Sequence, residues 1–184
     1  GDPEAMPGKP DTALASMGIY VFSTRFLYDS LIEDAQDETS AHDFGKNIIP
    51  HAIQKSMAMA YPYRNEQGKM AYWRDVGTLD AYWKANIELC AIEPELNLYN
   101  SKWPVWTYQT QHPPAKFIFD EEGRRGEAIN SLVSGGCIIA GARVKRSVIF
   151  YATRIETGSL VKDSVVLPMV YIGKNCRIVG AIID

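Results

Sequence analysis

The apolar positions of this chain change rhythm along its length, and each rhythm predicts a different kind of element. Ser16 to Phe22, SMGIYVF, is a short and nearly continuous apolar run of the kind a buried strand carries. Ser23 to Ala35 then sets Leu27 and Leu31 on one helical face behind a Ser/Thr start. Polar residues lead to a second helix from about Phe44, with Ile49, Ala52, Ile53 and Ser56 spaced for one side, and MAMAYPY, Met57 to Tyr63, reads as another strand. The β-α-β order predicts an α/β layer. KMAYWRD reads as a further strand, and after Gly77 and Thr78 the residues Leu79, Trp83, Ile87 and Cys90 form one stripe of an amphipathic helix expected to cover the sheet. Pro94 to Phe117 has no sustained period and mixes four prolines with Tyr99, Trp103, Trp106 and Tyr108, so it reads as a connector whose aromatics pack on their neighbours. The first dozen residues, rich in Pro, Gly and acids, read as a surface loop or frayed end, with order from near Leu14.

The last stretch repeats itself every 17 residues, with Asn130, Ser147, Ser164 and Ala181 opening successive units. Leu132, Ile149, Val166 and Ile183 form one column, Ile138, Ile155 and Ile172 a second, and Val144, Val161 and Ile178 a third. Columns five or six residues apart describe a coil of three short strands, each sending one apolar side chain to the axis. Gly141, Gly158 and Asn175 share a further column, as a corner with positive φ requires. The pattern predicts a left-handed parallel β-helix of the hexapeptide kind. It stops at Asp184 at the start of a unit with no capping segment, so the chain reads as a truncated piece.

Composition narrows the possibilities further. A chain of 184 residues, 46% hydrophobic and 22% charged, can bury a core and fits one domain or a domain and a half. A net charge of -3 without a Lys/Arg cluster argues against a nucleic-acid or anionic-membrane partner, so an anionic substrate must be held by local groups. No run approaches the roughly 18 apolar residues of a membrane span, and GDPEAMPGKPD lacks the features of a signal peptide. The chain therefore reads as cytoplasmic. Cys90, Cys137 and Cys176 have no metal or disulfide spacing and read as buried free thiols. Hexapeptide coils also occur in acyltransferases that use a histidine base, but His42, His51 and His112 all precede the repeat.

Candidate chemistry sits in WRDVGT, Trp73 to Thr78, where Asp75 ends a strand ahead of a helix-opening turn. A carboxylate there can reach a ligand or cation, or it can cap the helix; the spacing allows both. SMGIYVF, HDFGKNIIP, YWRDVGTLDAYWKANIEL, PPAKF and NSLVSGGCII, in that order ahead of a β-helix, closely resemble bacterial ADP-glucose pyrophosphorylase, the glucose-1-phosphate adenylyltransferase of glycogen synthesis. The similarity runs from about Leu14 to Asp184. It implies the carboxyl-terminal part of a Rossmann-like nucleotidyltransferase domain over residues 1–93, a connector over 94–128 and a β-helix domain over 129–184.

The implied reaction is attack of a glucose 1-phosphate oxygen on the α-phosphorus of ATP, releasing pyrophosphate, with Mg²⁺ held by carboxylates. Asp75 matches the family's second metal-binding aspartate, and is the residue expected to be catalytic. Ser16 and Tyr20 match residues near glucose 1-phosphate, Asp43 and Phe44 match the sugar-site pair, and Trp73 resembles a sugar-facing residue. Four of these have a structural alternative: a strand-end hydroxyl for Ser16, a core Tyr20, a helix-capping Asp43 and a core Trp73. Arg74 reads as one half of a surface pair.

In the family's order the Gly-rich phosphate loop, the first metal-binding aspartate and a Glu-Lys-Pro segment all come before the position of Gly1, so these residues alone are expected not to turn over. Another sugar nucleotidyltransferase using UTP, dTTP or GTP, and a non-catalytic regulatory subunit, remain open. The resemblance also implies a homotetramer controlled by small metabolites.

Overall fold

The computed structural model describes residues 5–6, 8–55, 58–65 and 67–184, and the chain divides into two compact units, residues 1–64 and 65–184. In the first unit, strands β1 (Ala5–Met6) and β2 (Lys9–Ala13) pair antiparallel. Where it is described, the segment expected to be a surface loop or frayed end is thus an exposed hairpin, with Gly8 between the strands at φ 78°. Helix α1 (Thr24–Ala35) forms where the apolar period predicted it. A π-type turn, Phe44–Ile48, runs directly into α2 (Ile49–Gln54). Ile48 and Ala52 are the buried positions of that helical segment; Ile53, placed on the same face by sequence spacing, is exposed, and Ser56 lies outside the described residues.

Neither apolar run of this unit forms a strand. Ser16–Phe22 is irregular, with Val21 97% exposed, and so are the described residues 58–63 of the second run, Met57 lying outside them. A strand exists through ladder hydrogen bonds to a neighbour, and among the described residues neither segment has one. KMAYWRD, in the second unit, is likewise unladdered apart from an isolated bridge at Met70.

The second unit is a left-handed parallel β-helix with one helix packed on it. Its first face carries β3 (Lys116–Ile118), β8 (Ile138–Ala140), β11 (Arg154–Ile155) and β14 (Tyr171–Ile172). The second carries β6 (Glu127–Ile129), β9 (Arg143–Lys145), β12 (Leu160–Lys162) and β15 (Arg177–Val179). The third carries β7 (Leu132–Val133), β10 (Val148–Ile149), β13 (Val165–Val166) and β16 (Ile182–Ile183). A short antiparallel hairpin, β4 (Asp120–Glu121) with β5 (Arg124–Arg125), loops out of the first coil. The coil therefore starts at Lys116, before the repeat visible in the sequence.

The 17-residue step holds from Ile149 to Val166 and Ile183, but Val133 pairs with Ile149 and Ile139 with Ile155, one residue closer. The shorter spacing falls at one corner. Ile139 and Val144 are five apart, whereas Ile155 and Val161, and Ile172 and Ile178, are six apart. Two columns read from sequence are thereby corrected. Val133 and Ile139 point to the axis, where Ile139 is 0% exposed, and Leu132 and Ile138 take the alternate, outward positions. The corner column itself is present, with Gly141, Gly158 and Asn175 at φ 63°, 78° and 59°.

Helix α3 (Leu79–Glu88) packs on β13 of the coil, correcting its expected place on an α/β sheet. The reason lies in the register: Leu132, Val148, Val165 and Ile182 make an outward apolar stripe along the third face. The corresponding rows of the other faces carry Lys116 and Arg154, or Glu127, Arg143 and Arg177. Only the apolar face rewards a helix with burial. Trp83 completes the dock by donating its indole N–H to the Asp163 carbonyl at 2.8 Å. Leu79, first in the predicted stripe, stays exposed. Tyr99, Trp103, Trp106 and Tyr108 are also exposed, so the connector aromatics do not pack on neighbouring elements of this chain as expected. Cys90 and Cys137 are buried, Cys176 is half-buried, and all three are free thiols.

Candidate active site

In the first unit three of the predicted residues meet. Gly18, at φ 71°, bends the chain between Ser16 and Tyr20, so the hydroxyl and phenol approach to 2.8 Å and hydrogen-bond each other. They share a side because of this bend rather than a strand's alternation. The Tyr20 ring stacks on Phe44, centroids 6.3 Å apart at 15°, and Phe22 lies 5.9 Å from Phe44. The result is an aromatic patch with a hydroxyl pair at one edge, a surface suited to the apolar face and the hydroxyls of a sugar.

Asp43 precedes Phe44 in an extended conformation and accepts a 2.8 Å bond from the Lys46 amide through Oδ1. The capping role is therefore real. It employs one carboxylate oxygen and leaves Oδ2 uncommitted among the described residues. Asp34, Ser40 and His42, which the sequence did not mark as site residues, bind one another immediately before Asp43. The Asp34 carboxyl is held below its ordinary range by the Ser40 hydroxyl first and the His42 ring second. The available signal was a histidine next to a candidate acid and a second acid in the last turns of the preceding helix.

The second unit holds Trp73 and Asp75. Asp75 Oδ1 accepts from the Gly77 amide at 2.9 Å, and Thr78 caps α3 by accepting from the Ala81 amide at 3.2 Å. Asp75 is thus an Asx-turn acid and Thr78 the helix cap, which separates two roles the sequence left merged. Gly77 suits the turn because a Cβ there would meet Asp75 Oδ1 at 3.1 Å. Arg74 donates to Glu88, Glu95 and the Trp73 carbonyl at 3.1, 2.7 and 3.0 Å, and its guanidinium lies 4.8 Å from the Tyr72 ring centre. Glu95, then Glu88, raises the Arg74 pKa, so the cation stays fixed and ties the backbone before Asp75 to the end of α3. Trp73 is 41% exposed rather than a core residue.

As a Mg²⁺ ligand Asp75 fits. One carboxylate oxygen is free, the group is exposed, and among the described residues it pairs with no Lys, Arg or His. Mg²⁺ is commonly held by one or two carboxylates together with substrate phosphates, so a single protein oxygen is a reasonable contribution. Among the described residues no three His, Cys, Asp or Glu gather into a metal cluster. None of their helices is long and apolar enough to cross a membrane.

Known proteins match both parts of the chain. Residues 4–91 match the nucleotidyl transferase family, and residues 113–184 match the family described as GlmU-like, C-terminal hexapeptide. Over 183 residues the chain is 66% identical to a glucose-1-phosphate adenylyltransferase of Thiobacillus denitrificans and 62% identical to that of Hydrogenovibrio crunogenus. The resemblance to bacterial ADP-glucose pyrophosphorylase covers the whole chain. A third such enzyme, from Methylococcus capsulatus, is 58% identical over 184 residues. Each match takes in 100% of this chain but only 42% or 43% of the relative, its carboxyl-terminal part. His112 stands just before the hexapeptide match, its ring stacked on Tyr151 at 4.9 Å.

Proposed function

We propose that this chain is the carboxyl-terminal part of an enzyme that makes ADP-glucose and pyrophosphate from ATP and glucose 1-phosphate, for glycogen synthesis. The observation that carries the reading is the whole-length match, at 66% identity, to an enzyme of that name. Residues 1–93 contribute to the catalytic domain, a connector follows from residue 94, and the β-helix domain runs from Lys116, where its first coil begins, to Asp184. The assembly is a cytoplasmic homotetramer that responds to small-metabolite effectors.

The chain's own residues bind and orient. The Tyr20–Phe44 surface receives a pyranose face, Ser16 and Tyr20 exchange their mutual hydrogen bond for sugar or phosphate oxygens, and Asp43 Oδ2 accepts from a sugar hydroxyl while Oδ1 keeps its helix cap. Trp73, in the second unit, is assigned a sugar contact by the resemblance alone. Asp75 offers its free carboxylate oxygen to Mg²⁺ while its other oxygen stays on the Gly77 amide. Mg²⁺, when bound, neutralises phosphate charge and raises the electrophilicity of the α-phosphorus.

The test joins this chain behind the amino-terminal portion of the Thiobacillus relative and measures pyrophosphate release with glucose 1-phosphate and ATP, UTP, dTTP or GTP. ATP should be preferred, and Asp75→Asn should lower kcat at least about a hundredfold. Near-parental turnover in that variant would remove the metal role, and a preference for another nucleotide would remove the adenylyl assignment. The 184 residues alone should give no ADP-glucose.

A further inference from the structure

We infer that Asp34, Ser40 and His42 form a positioning clamp that sets the sugar-site pair Asp43–Phe44; this rests on the glucose 1-phosphate reading above. His42 lies in the left-handed region at φ 53°, which non-glycine residues seldom occupy, so something outside its own backbone holds it there. Asp34 and Ser40 supply the hold. Its ring Nδ1 lies 2.8 Å from Asp34 Oδ2 on α1, and the Ser40 hydroxyl donates to the other Asp34 oxygen at 2.6 Å. The same Ser40 oxygen accepts the His42 amide at 3.0 Å. Both carboxylate oxygens of Asp34, which lies half-buried, are therefore committed to fixing one corner of the chain.

The two residues after that corner are the ones whose direction matters. Asp43 leaves it extended, bonded through Oδ1 to the Lys46 amide and through its own amide to Asn47 Oδ1 at 3.2 Å. Phe44 leaves it stacked on Tyr20. Rotation at His42 would swing the free Asp43 oxygen and the Phe44 ring together, away from the Ser16–Tyr20 hydroxyls. The clamp touches no substrate in this scheme. It acts through the direction of its neighbours, as second-layer carboxylate–imidazole pairs do elsewhere.

Two variants test this, in the fusion protein for kinetics and in the 184-residue chain for structure. Asp34→Ala removes both acceptors of the clamp, and His42→Asn removes the ring while tolerating the left-handed backbone. Either should raise KM for glucose 1-phosphate about tenfold, leaving KM for ATP and kcat within about twofold, the pattern of lost substrate orientation. In the chain alone, ¹⁵N NMR of His42 should report a hydrogen-bonded Nδ1–H that is lost or changes tautomer in Asp34→Ala. An unchanged His42 spectrum in that variant overturns the clamp. Unchanged KM for glucose 1-phosphate, or equal loss for both substrates, overturns its positioning role. A parental fusion that folds and makes no ADP-glucose, with the NMR signature intact, refutes the enzyme reading and with it this use of the clamp.

Discussion

The 16-residue coil makes a prediction that separates two adjacent isoleucines. A strict 17-residue register sends Ile138 to the axis of the β-helix, whereas the structure sends Ile139 there, fully buried with Ile155 and Ile172 above it. Truncating Ile139 to Ala removes three carbons, about 2.4 kcal/mol at roughly 0.8 per methylene. The core of a coil cannot close laterally without shifting its ladders, so about half of the roughly 80 Å³ removed should persist as cavity, adding about 1 kcal/mol at ~24 cal/mol per Å³. The sum, about 3.5 kcal/mol, corresponds to a fall in Tm of about 14 °C for a unit of this size. Ile138→Ala, at the outward position beside Arg154, should cost about 1 kcal/mol or less. All four tryptophans, Trp73, Trp83, Trp103 and Trp106, lie in the second unit, so tryptophan fluorescence during heating follows that unit alone. An Ile138 variant as damaging as the Ile139 variant would refute the shortened corner and restore the uniform repeat.

Two other perturbations probe the same unit. Gly126→Ala places a Cβ against the Ile139 carbonyl oxygen and 2.6 Å from that of Ile118, both backbone, so the variant should lose about 3 kcal/mol in urea unfolding. Asp163, whose carboxyl is held low chiefly by its hydrogen bond from Arg146, should lose a pH-dependent contribution on change to Asn, a residue that also tolerates its φ of 49°. A lowered folded pKa gives stability that is complete above the ordinary Asp value, about 3.9, and disappears as pH falls through the lower folded value. Parent and variant should therefore differ in Tm at pH 7, begin to approach one another as pH falls below about 3.9, and meet only below the lower folded value.

What the sequence made legible follows from where each element finds its partner. A β-helix rung pairs with its own repeat, so period and corner signals suffice, and only a single missing residue between Ile139 and Val144 displaced two columns. An amphipathic stripe states that a helix has a buried side without naming the surface that buries it. Trp83 and Cys90 were read correctly as inward, while the surface proved to be the Val148–Val165 stripe and not an α/β sheet. Apolar runs such as Ser16–Phe22 say least. They become strands only through a ladder to other segments, and here Gly18 bends the run so that Ser16 and Tyr20 bond each other.

The candidate site divides in the same way. Residue identity pointed to Asp43 and Asp75, but identity could not say which carboxylate oxygen was already engaged. The backbone amides of Lys46 and Gly77 decide that, and each takes one oxygen and leaves the other uncommitted among the described residues. A structural bond and chemistry, set against each other when only the sequence is read, are thereby compatible at both acids, through a helix cap at Asp43 and an Asx turn at Asp75: the bond that fixes one oxygen is also what aims its twin.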